Sequence, residues 1–388
     1  MTRPGAVVIV GESIAGLTAA RELRARGYDG TITMVGREPE GAYARPPLSK
    51  DVLRDAAAEP GLAYPCADLD LQHVRSPAVA LDCPARTVTT EDGRAVSYDA
   101  LLVATGAAAR RLAAPGQRGE LVLRTLADAR AIRERMDLAA SVVVVGAGFL
   151  GMEVASAAVA RGMEVTVIDT EPPLRRLLGP YLSGRLAARA AAAGVRTHQV
   201  AGPVGLVGDP VDGVALPDGR TLTADLVVTC AGDVPAVDWL SGTPLANPAG
   251  IAIDERCSTS LPGVFAAGDV ARLGPPSDRG TGRTPFWSSA VAQGKVAAAS
   301  MLGQESPLLP IDDYFWTEVL GLSVKVAGPL PPDGGPTSVE GDVDAGDALL
   351  RWDRPGLPTT VVAFGRKVPV GRLRAIARDG DTTTEEKP

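Results

Sequence analysis

At 388 residues the chain exceeds what one hydrophobic core ordinarily supports, so two or three domains are expected. Hydrophobic residues at 45% and charged residues at 22% are those of an ordinary globular chain, which excludes wholesale disorder. The formal net charge of −7 lacks the basic footprint that non-specific nucleic-acid binding requires, and 4 cysteines are too few for a disulfide-stapled scaffold.

In chain order, the β-branched run Ala6 to Val10 predicts a buried strand. It leads into Gly11-Glu12-Ser13-Ile14-Ala15-Gly16 and a helix with Leu17, Ala20 and Leu23 at core spacing. A second apolar run, Thr31 to Val35, completes a strand, glycine turn, helix, strand unit. Leu101 to Ala104 reads as another strand, closed by Thr105-Gly106. The first grammar returns at Ser141 to Val145, Gly146-Ala147-Gly148-Phe149-Leu150-Gly151, a helix through Arg161, and Glu164 to Asp169. Short strands separated by Gly, Pro and Asp turns are expected over Gly202 to Thr223, and a buried strand over Leu226 to Cys230 before Ala231-Gly232. Beyond about Ser306 the texture changes. Asp312 to Gly328 alternates like strands, Pro329 to Pro336 is a loop, and Ala348 to Trp352 and Thr359 to Phe364 are two more strands. Val368 to Ala377 predicts a short helix, and the polar tail Asp379 to Pro388 is expected to fray. The fold class is therefore α/β: two Rossmann-like dinucleotide-binding domains plus a small α+β C-terminal domain. No apolar run reaches the roughly 18 residues of a membrane span, and Met1 to Pro4 carries no secretory pattern, so a cytoplasmic protein with no membrane partner is expected.

The second glycine motif is complete. Its first glycine permits the tight turn, its second admits backbone to a pyrophosphate, and its third lets helix and strand pack closely. Asp169, at the end of the following strand, is placed for a ribose 2′-hydroxyl. A carboxylate there repels a 2′-phosphate, so NADH should be preferred over NADPH. In the first motif Ser13 stands where the second glycine belongs, and the expected strand-end acid is displaced to Glu38 in Gly36-Arg37-Glu38.

Two such units, the segment Tyr43-Ala44-Arg45-Pro46-Pro47-Leu48-Ser49-Lys50 and Ala104-Thr105-Gly106 resemble the FAD-dependent NADH:ferredoxin reductases of bacterial oxygenase systems. Putidaredoxin, rubredoxin and biphenyl-dioxygenase reductases are members of that family. The resemblance continues through Leu123-Arg124-Thr125-Leu126, Gly250-Ile251 to Asp254, Val264-Phe265-Ala266-Ala267-Gly268-Asp269, Trp287 to Gly294, and Tyr314-Phe315-Trp316-Thr317-Glu318. It implies an FAD domain of residues 1–107 and 235–305, an NAD domain of residues 108–234, and a C-terminal domain of residues 306–388. It places FAD on Gly11, Ser13, Ile14, Ala15, Gly16, Glu38, Arg45, Pro46, Lys50, Val79, Ala104, Thr105, Gly106, Arg124, Gly268, Asp269 and Trp287. NAD falls to Gly146, Gly148, Phe149, Leu150, Gly151, Glu153, Asp169, Thr170 and Gly232. Asp269 would bond the ribityl chain, and Trp287 would pack on the flavin. Lys50 and Glu153 are the implied catalytic pair, the lysine stabilising the anionic reduced flavin. The ordinary alternatives are a surface lysine, a helix-face acid, a turn aspartate and a core aromatic. Lysine is scarce, with only Lys50, Lys295, Lys325, Lys367 and Lys387 present, which favours a role for Lys50. Ser13, Arg37 and Pro285 depart from the family pattern.

The implied reaction takes a hydride from NADH and passes electrons singly to a ferredoxin-type iron–sulfur protein. The alternatives are an NADH oxidase or nitrite-reductase-type donor, or a non-turnover NADH/FAD sensor of the apoptosis-inducing-factor type. Cys66, Cys83, Cys230 and Cys257 form no CxxC or CxxxxC pair, which argues against disulfide reduction. His73 and His198 fall in unrelated segments, and no metal site is readable. Arg279 and Arg283, in the loop Arg272 to Arg283, are expected to attract an acidic ferredoxin near Trp287.

Overall fold

Val7, Val8, Ile9 and Val10 are all buried, so the strand Ala6–Val10 has both faces covered, as a central parallel strand must. It lies in a five-stranded parallel sheet in the order Val264–Ala266, Ala100–Val103, Ala6–Val10, Thr31–Gly36, Leu71–Arg75. The computed structural model describes residues 3–274, 282–309, 314–330, 332–356 and 358–379. By contacts the chain divides into two units, and this sheet belongs to the first, Met1–Ala44 with Pro60–Ala108 and Asp233–Asp312. The helix Ile14–Ala25 crosses from the first strand to the second, and the alanine-rich helix Trp287–Met301 packs against it. Gly294 makes this possible, because a Cβ there would lie 2.6 Å from the carbonyl oxygen of Ala15.

The second unit is Arg45–Glu59, Ala109–Gly232 and Asp313–Pro388. Its parallel sheet has the order Arg196–Gln199, Glu164–Asp169, Ser141–Val145, Leu226–Thr229, Leu121–Val122. The helix Phe149–Ala160 follows the glycine turn, and the expected short strands, Gly205–Gly208, Val211–Ala215 and Thr221–Thr223, pair as a small antiparallel sheet. The same unit holds an antiparallel sheet in the order Phe315–Val319, Leu322–Ala327, Thr360–Phe364, Asp347–Trp352, Ser338–Asp342, followed by the helix Val370–Asp379.

Among the strands that the sequence pattern does not show, two share one reason. Leu71–Arg75 buries only Val74, and every residue of Ser338–Asp342 is exposed. Both lie at sheet edges, where little apolar periodicity is required. Among the described residues no helix is long and apolar enough to cross a membrane.

Candidate functional site

In the second unit the glycine turn is dictated by its own backbone. Gly146 donates its N–H to Ile168 at 2.7 Å, and a Cβ on it would lie 2.2 Å from the carbonyl oxygen of Cys230. A Cβ on Gly151 would lie 1.9 Å from the carbonyl oxygen of Gly146. Gly148 is different. It caps the helix Phe149–Ala160 with an ordinary φ of −74°, and the nearest atom to its Cβ position is 3.8 Å away. The protein's own packing does not demand glycine there, whereas a pyrophosphate drawn to the helix N-terminus does. Phe149 and Leu150 open that helix, and the Phe149 ring lies 4.8 Å from that of Phe315. Gly232 accepts from the Arg110 N–H at 3.0 Å.

Asp169 ends its strand with the carboxylate turned back on the turn. It accepts from the Ala147 N–H at 2.7 Å and from the Thr170 N–H at 2.7 Å. Arg176 reaches it at 3.0 Å. A cavity of about 190 Å³ opens beside it, lined by Ala147, Asp169, Glu171, Pro172, Thr197 and His198 among others.

The first unit repeats the design. Gly11 donates to Val35 at 2.8 Å, and a Cβ on it would lie 2.1 Å from the carbonyl oxygen of Ala104. A Cβ on Gly16 would lie 2.1 Å from Gly11. Ser13 takes the N-cap position before Ile14, and Ala15 is buried in the first turn. Thr105 Oγ1 donates to Ala236 at 2.8 Å, and Gly106 accepts from the Ala236 N–H at 3.0 Å. In each cradle the outer glycines answer to the protein's own backbone; Gly148 leaves open space before its helix, Ser13 holds the matching position in the first unit, and the two turns fit one dinucleotide each.

Gly268 donates its N–H to Gln293 Oε1 at 2.7 Å, and the carbonyl of Asp269 accepts from Arg283 Nε at 2.8 Å. Arg283 is also paired with both oxygens of Asp233, at 2.9 and 2.8 Å, and its side chain is only 7% exposed. This corrects the docking expectation for Arg283: the guanidinium is enclosed and neutralised, and it fixes the Gly268-Asp269 turn instead of facing a partner. Arg279 lies outside the described residues. Trp287, at 38% exposure, is no core aromatic; its indole N–H donates to the Tyr64 hydroxyl at 3.1 Å. Val79 is likewise exposed, on the strand Ala78–Asp82. Glu38 accepts a hydrogen bond from the Tyr43 hydroxyl.

Lys50 and Glu153 do come together. The ammonium lies 2.8 Å from Glu153 Oε2, with side chains only 12% and 7% exposed. Lys50 also donates to the carbonyl of Pro46 at 3.0 Å, inside the turn Pro46–Ser49. Glu153 accepts from the Ser49 hydroxyl, and its other oxygen accepts from Thr317 Oγ1 at 2.6 Å. Sequence reasoning assigned neither hydroxyl, although both fall inside the blocks that carry the resemblance. Nearby, Arg45 donates to the carbonyl of Arg124 at 2.8 Å.

All four cysteines are free. Burial, and secondarily Glu153, pushes the Cys230 thiol up to about 12. Burial raises Cys257 further still and also raises Cys83. These thiols are protonated at neutral pH, and thiol–disulfide exchange needs thiolate.

The profile described as pyridine nucleotide-disulphide oxidoreductase matches residues 5–294. The chain belongs to this family. Among its relatives is the ferredoxin reductase component of chlorobenzene dioxygenase from Cupriavidus sp. (strain PS12), 34% identical over 92% of this chain and 88% of that protein. The ferredoxin–NAD(+) reductase component of the biphenyl dioxygenase system of Paraburkholderia xenovorans (strain LB400) is 35% identical over 89% and 86%. The crystal structure of a covalent putidaredoxin reductase–putidaredoxin complex aligns with a TM-score of 0.85 at 30% identity, over 97% of this chain and 93% of that one. The family's description includes disulphide chemistry, whereas the names of these relatives carry a ferredoxin or rubredoxin partner.

Proposed function

We propose that this chain is a cytoplasmic FAD-dependent NADH:ferredoxin oxidoreductase, passing electrons from NADH to a ferredoxin-type iron–sulfur protein that serves an oxygenase. The observation that carries this reading is two dinucleotide cradles in one chain whose cysteines are all unpaired. With no CxxC or CxxxxC pair in the sequence to relay electrons as a dithiol, electrons from NADH would pass from FAD directly to the acceptor.

FAD is assigned to the first cradle and NAD to the second, with the domain division 1–107 and 235–305, 108–234, and 306–388. When bound, FAD supplies the conversion from a two-electron hydride donor to a one-electron acceptor. The chain's residues do the rest. The helix N-termini behind Ser13 and Gly148 would attract the pyrophosphates, Asp169 would hold the NAD ribose, and Asp269 would hold the ribityl chain. Lys50 offers a cation whose position is set by Pro46 and Glu153, and in this reading it would present a bound flavin with a fixed dipole rather than a mobile ammonium.

The test is NADH oxidation by the purified yellow protein with oxygen alone, with ferricyanide, and with a ferredoxin. Turnover should rise steeply with either electron acceptor over oxygen. Equal turnover with oxygen alone would make the protein an oxidase. Stoichiometric reduction without turnover would make it a sensor, and a colourless protein that takes up no FAD would remove the reading altogether.

A further inference from the structure

We propose that Glu12 supplies the carboxylate that holds the adenosine ribose of FAD, replacing an acid at the end of the strand Thr31–Gly36. This rests on the assignment of FAD to the first cradle.

The two cradles can be superposed residue by residue through their hydrogen bonds. In the second, Val145 pairs with Ile168, Gly146 donates to Ile168, and the next strand residue is Asp169. In the first, Val10 pairs with Val35, Gly11 donates to Val35, and the next residue is Gly36. Gly36 therefore holds the place of Asp169, and Glu12 holds the place of Ala147. The acid has changed sides. Asp169 reaches from the strand end to the loop, 2.7 Å from the Ala147 nitrogen. Glu12 reaches from the loop to the strand end. A Cβ on Gly36 would meet Glu12 Oε2 at 2.0 Å, Cδ at 2.4 Å and Cγ at 2.5 Å, and these are its three nearest neighbours. The Glu12 carboxylate thus fills the volume that a strand-end side chain would occupy, and glycine at position 36 makes room for it.

A buried anion needs compensation in a cradle meant for a pyrophosphate. The Glu12 side chain is 5% exposed, and the edge strand Leu71–Arg75 compensates it: His73 Nδ1 lies 2.9 Å from Oε1 and Arg75 Nη1 lies 3.2 Å from Oε2. A carboxylate has about four acceptor positions, so these two contacts leave capacity for ribose hydroxyls. Glu38, the acid nearest the expected position in sequence, is engaged with Tyr43.

The experiment measures the FAD dissociation constant by flavin fluorescence on dilution of the holoenzyme, beside thermal unfolding. Glu12→Ala should weaken FAD by about 10- to 100-fold, the worth of one or two charge-assisted hydrogen bonds, and Glu12→Gln by less. The relocation variant, Glu12→Ala with Gly36→Asp, should recover most of the loss, since the atoms that crowd Gly36 belong to Glu12. FAD lacking both adenosine ribose hydroxyls should bind Glu12→Ala and the unmutated chain alike. A Glu12→Ala protein that keeps the unmutated dissociation constant overturns the proposal. So does one that loses thermal stability while relocation restores no FAD affinity, for then Glu12 only anchors His73 and Arg75. Should Glu12→Ala fail to fold, an unchanged constant in Glu12→Gln overturns it equally. Failure of the unmutated chain to take up FAD would instead remove the cradle assignment itself.

Discussion

Replacing Lys50 by Met strips the buried Glu153 of its only described cation and leaves it two hydroxyl donors. At the observed 2.8 Å and an effective dielectric constant of about 20, the gross attraction is ~6 kcal/mol. The remaining hydroxyls and slight exposure reduce what is lost, and breaking buried pairs ordinarily costs about 3–5 kcal/mol, so a coupling of ~3 kcal/mol is expected. A double-mutant cycle of Lys50→Met, Glu153→Gln and the pair, followed by urea unfolding, measures it. The flavin midpoint potential gives a second reading with opposite signs. Lys50→Met leaves a bare carboxylate and should lower the potential; Glu153→Gln leaves a bare ammonium and should raise it; the double variant should return toward the start. A coupling below about 0.5 kcal/mol, or two single variants that move the potential in the same direction, would refute a fixed ion pair acting on the flavin.

NADH should be preferred over NADPH, but Arg176 beside Asp169 already offers a cation to a 2′-phosphate, so Asp169→Ser alone should narrow the ratio of catalytic efficiencies by about tenfold or more. Arg176→Ala should widen that ratio, and no change in either variant would discard Asp169 as the discriminator. Arg283→Ala should weaken FAD retention and lower thermal stability, because it unties the Asp269 turn and orphans Asp233; a variant with normal FAD content but a raised Michaelis constant for ferredoxin would restore Arg283 as a docking residue. Iodoacetamide at pH 8 should label Cys66 ahead of Cys230 and Cys257 by mass spectrometry, with NADH-to-ferredoxin transfer unaffected. The raised Cys230 thiol also fixes a sign: its contribution to stability is complete below about pH 9 and is lost as pH climbs from there toward 12, since the unfolded chain ionises first.

Both cradles were legible because their demands are local: a buried strand, glycines at set spacing, and a helix start within one stretch of chain. The Lys50–Glu153 pair was legible only through the resemblance, since nothing local in residues 45–59 points to residue 153. The hydroxyls of Ser49 and Thr317 converge on Glu153 from segments far apart in sequence, and no periodicity encodes that. Arg283 was misread because an arginine in a polar loop looks solvated until Asp233 is seen beside it. Glu12 was overlooked because the ribose acid was sought after the second strand, whereas the register of Val10 with Val35 shows that a loop side chain can reach the same space.

The exposed edge strand Ser338–Asp342 has a consequence for handling the protein at concentration. Among the described residues no strand pairs with its outer edge, where the Glu340 carbonyl accepts from Arg366 at 3.2 Å; with Val339 at 48% exposure, that edge is a template onto which a second molecule's strand can add. Glu340 and Asp342 put negative charge along that edge, and an antiparallel copy would bring like charges together. Arg366 neutralises part of this by pairing with Glu340 at 2.9 Å, so the guard rests chiefly on Asp342. Asp342→Asn would remove that repulsion while leaving the edge in place, and self-association of the variant should begin at this strand.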